Sequence, residues 1–95
     1  MPRYLIERVW DPLEEEERAA KGPRSKKILT ENEQFSPVTW EHSHVVMDED
    51  GTLKTYCVYS SPNRKLLHEH AALLGDHKIA QIYEIGGDIS PDDFA

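Results

Sequence analysis

The chain has 95 residues, which suffices for one small domain with a thin hydrophobic core and is too short for two domains. Its 18 aspartates and glutamates outnumber its 11 lysines and arginines, and the net charge of −7 makes nucleic acid a poor partner, because nucleic-acid binding requires clustered positive charge. No apolar run approaches the roughly 20 residues that span a bilayer, and the first residues lack a signal-peptide stretch, so we expect a cytoplasmic protein without membrane contact.

The first predicted element is a strand over Arg3–Trp10, which is rich in strand-forming residues. A long helical connection, residues 11–36, follows it. Its first part, Leu13–Lys21, is predicted as a short, very acidic helix whose glutamates suit the positive end of the helix dipole. Gly22-Pro23 predicts an interruption, after which a second helix is expected over Arg24–Gln34.

A β-hairpin is the clearest prediction in the middle of the chain. Val38–Met47 and Leu53–Tyr59 are rich in strand-forming residues, and the turn cluster Asp48–Gly51 between them ends in an Asp-Gly pair. We therefore expect these two strands to be antiparallel neighbours in one sheet.

A further helix and a last strand complete the predicted elements. Ser61-Pro62 predicts a helix start, with Ser61 as the N-cap, and Gly75 predicts the helix end. The last strand is expected over Lys78–Ile85. In the tail, Ser90–Asp93 could form a capped turn and Phe94 a terminal anchor. For the helix between Ser61 and Gly75, the buried side is expected to consist of Leu66, Leu67, His70, Ala71, Leu73 and Leu74.

The order strand, helix, strand, strand, helix, strand predicts an α+β fold, a ferredoxin-like βαββαβ sandwich. Residues 1–95 are expected to form this single domain, with residues 86–95 as a C-terminal tail. Both helices would cover one face of a four-stranded antiparallel sheet. Because Trp, Tyr, Val and Ile occur on both sides of the strands, we expect the other face, or the sheet edges, to pair with a second copy in a homodimer.

Among the five histidines, His42 and His44 stand out by their spacing. One residue separates them on a strand, so both side chains point to the same face and could chelate one metal ion. A hairpin loop of two or four residues would place Cys57 on that face, whereas a three-residue loop with a bulge would change the register. The first register would also bring to that face Trp40, Thr55 and Tyr59.

Glu7 on the first strand is a candidate third ligand or acid, because this strand should lie beside the strand of Cys57. Imidazole and thiolate groups suit nickel, zinc, copper or cobalt. Structural roles are the alternatives: the strand histidines could be hydrogen-bonded core or interface groups. Cys57 could be a small buried apolar residue, and Glu7 could pair with a surface arginine.

The remaining histidines do not repeat this arrangement. His68 and His70 lie on a helix about 200° apart, so one ion cannot bridge them. His70 falls near the apolar stripe and is expected in the core or an interface, while His68 is expected to be exposed. His77, in the loop after the helix, could be a lone surface ligand.

Several segments of the chain carry a family resemblance, above all Tyr4–Arg8, Val38–Val46 and Tyr56–Tyr59. Through them the chain resembles a family of small bacterial ferredoxin-like proteins of unknown function that are described as nickel-binding. The resemblance covers most of the chain and is thinnest over Leu13–Ser36. It implies a ferredoxin-like fold, a homodimer and nickel as the bound metal, with a role in metal sequestration, and it does not assign individual ligands. The segments that carry it include Tyr4–Arg8, Val38–Val46, Asp50-Gly51, Tyr56–Tyr59 and Ile82–Ile85.

Three functions remain open at this point. The first is a nickel-binding homodimer with His42, His44, Cys57 and Glu7 as metal ligands. The second is a small dimeric α+β barrel enzyme of the monooxygenase, cyclase or isomerase type, with an apolar pocket lined by Glu7, His42, His44 and Tyr59. The third is a non-catalytic dimerisation module, which predicts buried, hydrogen-bonded and metal-free histidines.

Overall fold

The computed structural model describes residues 1–95 as a four-stranded antiparallel sheet with two helices. The strands lie side by side in the order Thr39–Met47, Leu53–Ser60, Arg3–Trp10 and His77–Glu84. This arrangement is the ferredoxin-like βαββαβ sandwich that the order of elements predicts. Neither helix is both long enough and apolar enough to cross a membrane. The elements in chain order are β1 (Arg3–Trp10), α1 (Glu15–Glu31), β2 (Thr39–Met47), β3 (Leu53–Ser60), α2 (Arg64–Leu74) and β4 (His77–Glu84), with 3-10 turns at Glu33–Phe35 and Pro91–Asp93.

The alternation of side chains along β1 defines the two faces of the sheet. Tyr4, Ile6 and Arg8 are buried and lie on the covered face, which packs against the helices. Leu5 and Glu7 lie between them on the opposite, open face and are half-buried. The hydrophobic core sits between the covered face and the helices, and it consists of Tyr4, Ile6, Ile28, Phe35, Val38, Cys57, Tyr59, Leu67 and Leu74.

Helix α1 runs without interruption from Glu15 to Glu31, so the break predicted at Gly22-Pro23 is wrong. A capping box of Glu14 and Glu17 starts the helix. Contacts to α2 and the residues after it lie on both sides of the proline and hold both halves of α1 in line. They are Lys21 Nζ to Leu74 O at 2.9 Å, Lys21 Nζ to Asp76 Oδ2 at 2.7 Å, and Arg24 Nη2 to Leu73 O at 3.2 Å. Tertiary contacts thus outweigh the local cost of an interior proline.

Helix α2 begins two residues later than its sequence suggests. Asn63 is the N-cap, since its side chain accepts a hydrogen bond from the Leu66 amide at 3.0 Å. The predicted cap Ser61 is buried and instead donates to the Asn63 carbonyl at 2.8 Å. Leu73, predicted on the buried side, is 46% exposed because it faces away from the sheet.

The hairpin between β2 and β3 closes with a three-residue loop. The Asp48 amide donates to the Thr52 carbonyl at 2.9 Å, and the Gly51 amide donates to the Asp48 carbonyl at 2.9 Å. Gly51 adopts φ +87°, a conformation that glycine reaches without steric cost. This loop sets the register in which Met47 pairs with Leu53, and the register holds as far as the pair of His42 and Val58.

The C-terminal tail continues along β1 and then leaves the sheet. The Ile85 amide donates to the Arg3 carbonyl at 2.8 Å, and the Arg3 guanidinium binds Asp88 at 2.7 Å. The capped turn predicted at Ser90–Asp93 is present, with the Ser90 amide donating to the Asp93 carboxylate at 2.8 Å. Phe94 is 68% exposed, so the prediction that it is a terminal anchor is wrong for the single chain, because the tail does not fold back onto the core.

Candidate functional site

His42 and His44 lie side by side on the open face of β2. Both are exposed, and their ring centroids are 5.3 Å apart with planes inclined by 85°. Neither ring forms a hydrogen bond to the protein, and their neighbours across the ladder are Val58 and Tyr56. Two free imidazoles on one face are therefore available to a ligand from outside the chain.

Cys57 lies on the covered face, so the predicted cluster of His42, His44 and Cys57 does not form. Cys57 pairs with Ser43, and its thiol is buried in the core, as in the structural alternative. The reason is the three-residue loop, which places the odd-numbered residues of β3 opposite the odd-numbered residues of the second half of β2.

A bulge at Glu41 separates Trp40 from the histidines as well. Trp40 pairs with Tyr59, His42 pairs with Val58, and Glu41 between them has no partner in the ladder. The Trp40 and Tyr59 rings consequently stack on the covered face, with centroids 6.2 Å apart. The predicted gathering of Trp40, Thr55 and Tyr59 around the histidines is wrong for these two reasons.

Glu7 lies on the open face but does not reach the histidines. Tyr56 of β3 pairs with Glu7 on one side and with His44 on the other, so it stands between them. The Glu7 carboxylate is 3.6 Å from Lys54 Nζ, a partner other than the surface arginine considered for it. Burial and the Glu7 charge raise the pKa of the Tyr56 hydroxyl. Within the chain, no three His, Cys, Asp or Glu side chains are placed to hold one metal ion.

The other two functional hypotheses are also affected by this geometry. The predicted lining of the enzyme pocket does not form in the single chain, because Tyr59 lies on the covered face, away from Glu7, His42 and His44. The dimerisation module predicts buried and hydrogen-bonded histidines, whereas His42 and His44 are exposed and free of hydrogen bonds in the single chain.

The carboxylate next to His42 is already engaged in an ion pair. Arg3 Nε donates to Glu41 Oε2 at 2.9 Å, Arg3 Nη2 donates to Glu41 Oε1 at 3.1 Å, and the Ser60 hydroxyl donates to Glu41 Oε2 at 3.1 Å. These bonds hold the pKa of the Glu41 carboxyl below its usual range. The Glu41 carboxylate is thus fixed beside the histidine pair by Arg3 and Ser60, in its ionised form.

Sequence reasoning missed a second group of polar side chains, which lies on the covered face. Arg8 is only 1% exposed, and its Nη1 lies 2.7 Å from Nε2 of His77. His77 Nδ1 lies 2.8 Å from the Gly75 carbonyl, so Nδ1 donates there and Nε2 accepts from Arg8. Burial lowers the pKa of His77, and the positive charge of Arg8 adds to this effect. His77 belongs to β4 and is half-buried, which corrects its prediction as a lone surface ligand.

His70 completes the buried group from α2. It is fully buried, as predicted, and its Nε2 lies 3.2 Å from the Ser25 hydroxyl. Burial lowers the pKa of His70 to about 4, and the charge of Arg8 contributes to the shift. One signal in the sequence points to this group: Arg8 is in phase with Tyr4 and Ile6, the buried residues of β1.

Comparisons with known proteins agree with this fold and point to one family. A family model described as "Nickel responsive protein SCO4226-like" matches residues 4–85. No curated protein sequence matches the chain. Among solved structures, the chain is similar to the solution structure of the C-terminal domain of the MgtC protein from Mycobacterium tuberculosis, with a TM-score of 0.56 and 10% sequence identity. The match covers 92% of this chain and 88% of that domain, and at this identity it shows the fold alone.

Proposed function

Because this chain belongs to the SCO4226-like family of nickel-responsive proteins, we propose that it binds nickel as a homodimer through His42 and His44. The observation that carries the proposal is the pair of exposed, hydrogen-bond-free imidazoles on the open face. Neutral imidazole is a good nickel ligand, and the ring separation leaves room for one ion between the two side chains.

Two imidazoles alone are an incomplete coordination shell, which is the reason for proposing a dimer. A square-planar nickel site requires four donors, and the chain places no third acidic, thiol or imidazole group where it could bind the same ion, since the Glu41 carboxylate next to His42 is held by Arg3 and Ser60. A two-fold axis through the open face would bring the same pair from a second copy to the ion. The proposed site then consists of four imidazoles, two from each chain.

The surface around the histidine pair supports a contact between copies. The open face carries apolar side chains on three strands, including Leu5, Val46 and Tyr83, and the last two are 37% and 48% exposed. Lys54 on the same face is already neutralised, since Nζ is 3.0 Å from Asp48 Oδ2. A second copy would bury this apolar surface, and the Lys54 charge would keep its carboxylate partner in the interface. The proposed role is sequestration of the metal between the two chains.

Native mass spectrometry of untagged protein tests this proposal, with nickel, zinc, copper and cobalt added in competition. We expect a dimer that holds one nickel ion, and we expect both the ion and its selectivity to be lost in the double variant His42→Ala, His44→Ala. His68→Ala is the matched control, because His68 is an exposed histidine on α2, remote from the pair. Nickel retained by the double variant, or bound by a monomer with equal affinity, would contradict the proposed site.

A further inference from the structure

A cavity of about 170 Å³ lies between α1 and the covered face of the sheet, on the side opposite to the histidine pair. Arg8, Trp10, Trp40 and Tyr59 contribute to its walls. A wider surface cleft of about 390 Å³ shares Trp10 and other lining residues with the cavity, so a route to solvent exists. The nickel proposal makes no use of this cavity.

The charge of the cavity lining is strongly one-sided. Arg8 is almost fully buried, forms no ion pair with a carboxylate, and its Nη2 has no hydrogen-bond partner. Arg18 and Lys21 also line the cavity, and only Lys21 is paired, with Asp76. No aspartate or glutamate lines the cavity, although the whole chain has a net charge of −7. A buried guanidinium without a carboxylate partner is costly. The hydrogen bond to His77 and the Tyr59 ring, whose centroid is 5.6 Å from the Arg8 Cζ, offset part of this cost, and an anion in the cavity would offset more of it.

Two hydroxyl groups in the lining are prepared to donate to such an anion. The Trp10 indole Nε1 donates to Thr55 Oγ1 at 2.9 Å, and the Trp40 indole Nε1 donates to Ser43 Oγ at 2.9 Å. Each hydroxyl accepts one bond and donates none within the chain, so its proton is available to a ligand oxygen. These two hydrogen bonds satisfy the indole N–H groups of Trp10 and Trp40, so the faces of both rings provide apolar surface to the cavity.

The remaining lining fits a compact apolar body. Trp10, Trp40 and Tyr59 supply aromatic surface, and the volume is close to that of a cavity of about 150 Å³ that holds one benzene ring. A guanidinium recognises a carboxylate through paired N–H donors. The Arg8 Nη2 is enclosed and has no partner, so a carboxylate in the cavity would bind it after a small turn of the guanidinium towards the ligand.

We propose that this cavity binds a small aromatic monocarboxylate, with the carboxylate on Arg8 and the hydroxyls of Ser43 and Thr55. The ring of the ligand lies against Trp10 and Trp40. The site is independent of the nickel proposal, because it lies on the other face of the sheet and shares no residue with the histidine pair.

Titration with benzoate, followed by the two indole N–H signals in a ¹H–¹⁵N correlation spectrum, tests this site. Both tryptophans of the chain line the cavity, so both signals report on it. We expect saturable shifts of both signals, and binding at least about tenfold weaker for benzyl alcohol, a neutral analogue that cannot form the charge-assisted bond. Arg8→Met is expected to weaken benzoate binding at least as much.

Two further variants keep the test decisive. Arg64→Met is the matched control, because this exposed arginine packs over Tyr4, outside the cavity, and the variant should bind benzoate as the unchanged protein does. If Arg8→Met does not fold, Ser43→Ala should weaken binding severalfold. Equal affinity for benzyl alcohol and benzoate would overturn the proposal, and so would indole signals that do not move with benzoate. Inorganic phosphate that binds as tightly as benzoate would exclude the aromatic ligand.

Discussion

The two faces of the sheet use the same residue types in opposite ways. On the open face, His42 and His44 are exposed and make no hydrogen bond. On the covered side, His70 of α2 is fully buried and His77 of β4 is half-buried, both near the buried Arg8, and burial lowers the pKa of both histidines. Open-face imidazoles are available to an external ion, whereas covered-face imidazoles are held neutral as parts of the fold.

This difference arises between residues that are neighbours in sequence. His42 is exposed on the open face, and the next residue, Ser43, is directed to the cavity beneath α1. The pleat of a single strand therefore serves two sites, one on each side of the sheet. The register of β2 against β3 therefore decides which functional side chains lie on each face.

The largest expected difference between the faces is in stability. Ile6→Ala should lower the free energy of unfolding by roughly 2–5 kcal/mol, because Ile6 is fully buried in the core and its loss leaves a cavity. Leu5→Ala is the matched change on the open face, where the side chain is half-buried, and it should cost about 1 kcal/mol. Urea denaturation at one protein concentration measures both values. Equal losses would mean that the two faces are buried to the same degree.

A second prediction concerns acid sensitivity on the covered face. Burial lowers the pKa of His70 from 6.5 to about 4 in the folded chain. Between these values the unfolded chain binds a proton that the folded chain does not, so stability falls as the pH drops through this window. The full loss attributable to His70 is at most roughly 3.5 kcal/mol, at about 1.4 kcal/mol per pKa unit over 2.5 units, and most of it falls above pH 4.5.

His70→Leu should remove most of this pH dependence, which chemical denaturation at pH 7 and pH 4.5 measures. His77, whose pKa is also lowered, should leave a smaller slope. His68→Leu is the control on the same helix, and its exposed side chain should leave the wild-type dependence unchanged. An unchanged slope in His70→Leu would mean that this histidine is not held neutral by its surroundings.

The fold could be predicted from the sequence because its signals are local. Three local signals give the order of elements: the alternation in Arg3–Trp10, the strands on either side of Asp48–Gly51, and the cap at Gly75. This order permits few topologies. The break expected at Gly22-Pro23 is wrong because contacts to α2 and the residues after it, which are distant in sequence, hold the helix together.

The candidate site was less predictable, because it depends on the parity of the register. The histidine spacing places His42 and His44 on one face, but the position of Cys57 depends on whether the loop has two, three or four residues. The bulge at Glu41 has no clear signature in the sequence, and it moves Trp40 to the other face. The cluster around Arg8 could not be predicted from the sequence, because its members come from β1, α2 and β4 and meet only in the folded chain.

The smallest expected effect tests this register directly at the hairpin loop. Gly51 has φ +87°, and no atom lies within 4 Å of the position that a Cβ would occupy, so any cost of Gly51→Ala comes from the backbone conformation alone. We expect a loss of about 1–2 kcal/mol in the free energy of unfolding. Gly86→Ala, in the exposed tail and outside the left-handed region, is the control and should change the free energy of unfolding by less than about 0.5 kcal/mol.

The two alanine variants together separate a conformational effect from a general effect of losing glycine. If Gly51→Ala costs stability and Gly86→Ala does not, the three-residue loop is present in solution, and with it the pairing of His42 with Val58. If Gly51→Ala is neutral, the left-handed turn is absent, and the register of β2 and β3 must differ. Such a slip by one residue would exchange the side chains of β2 between the faces, so a single substitution in the loop tests the placement of both proposed sites.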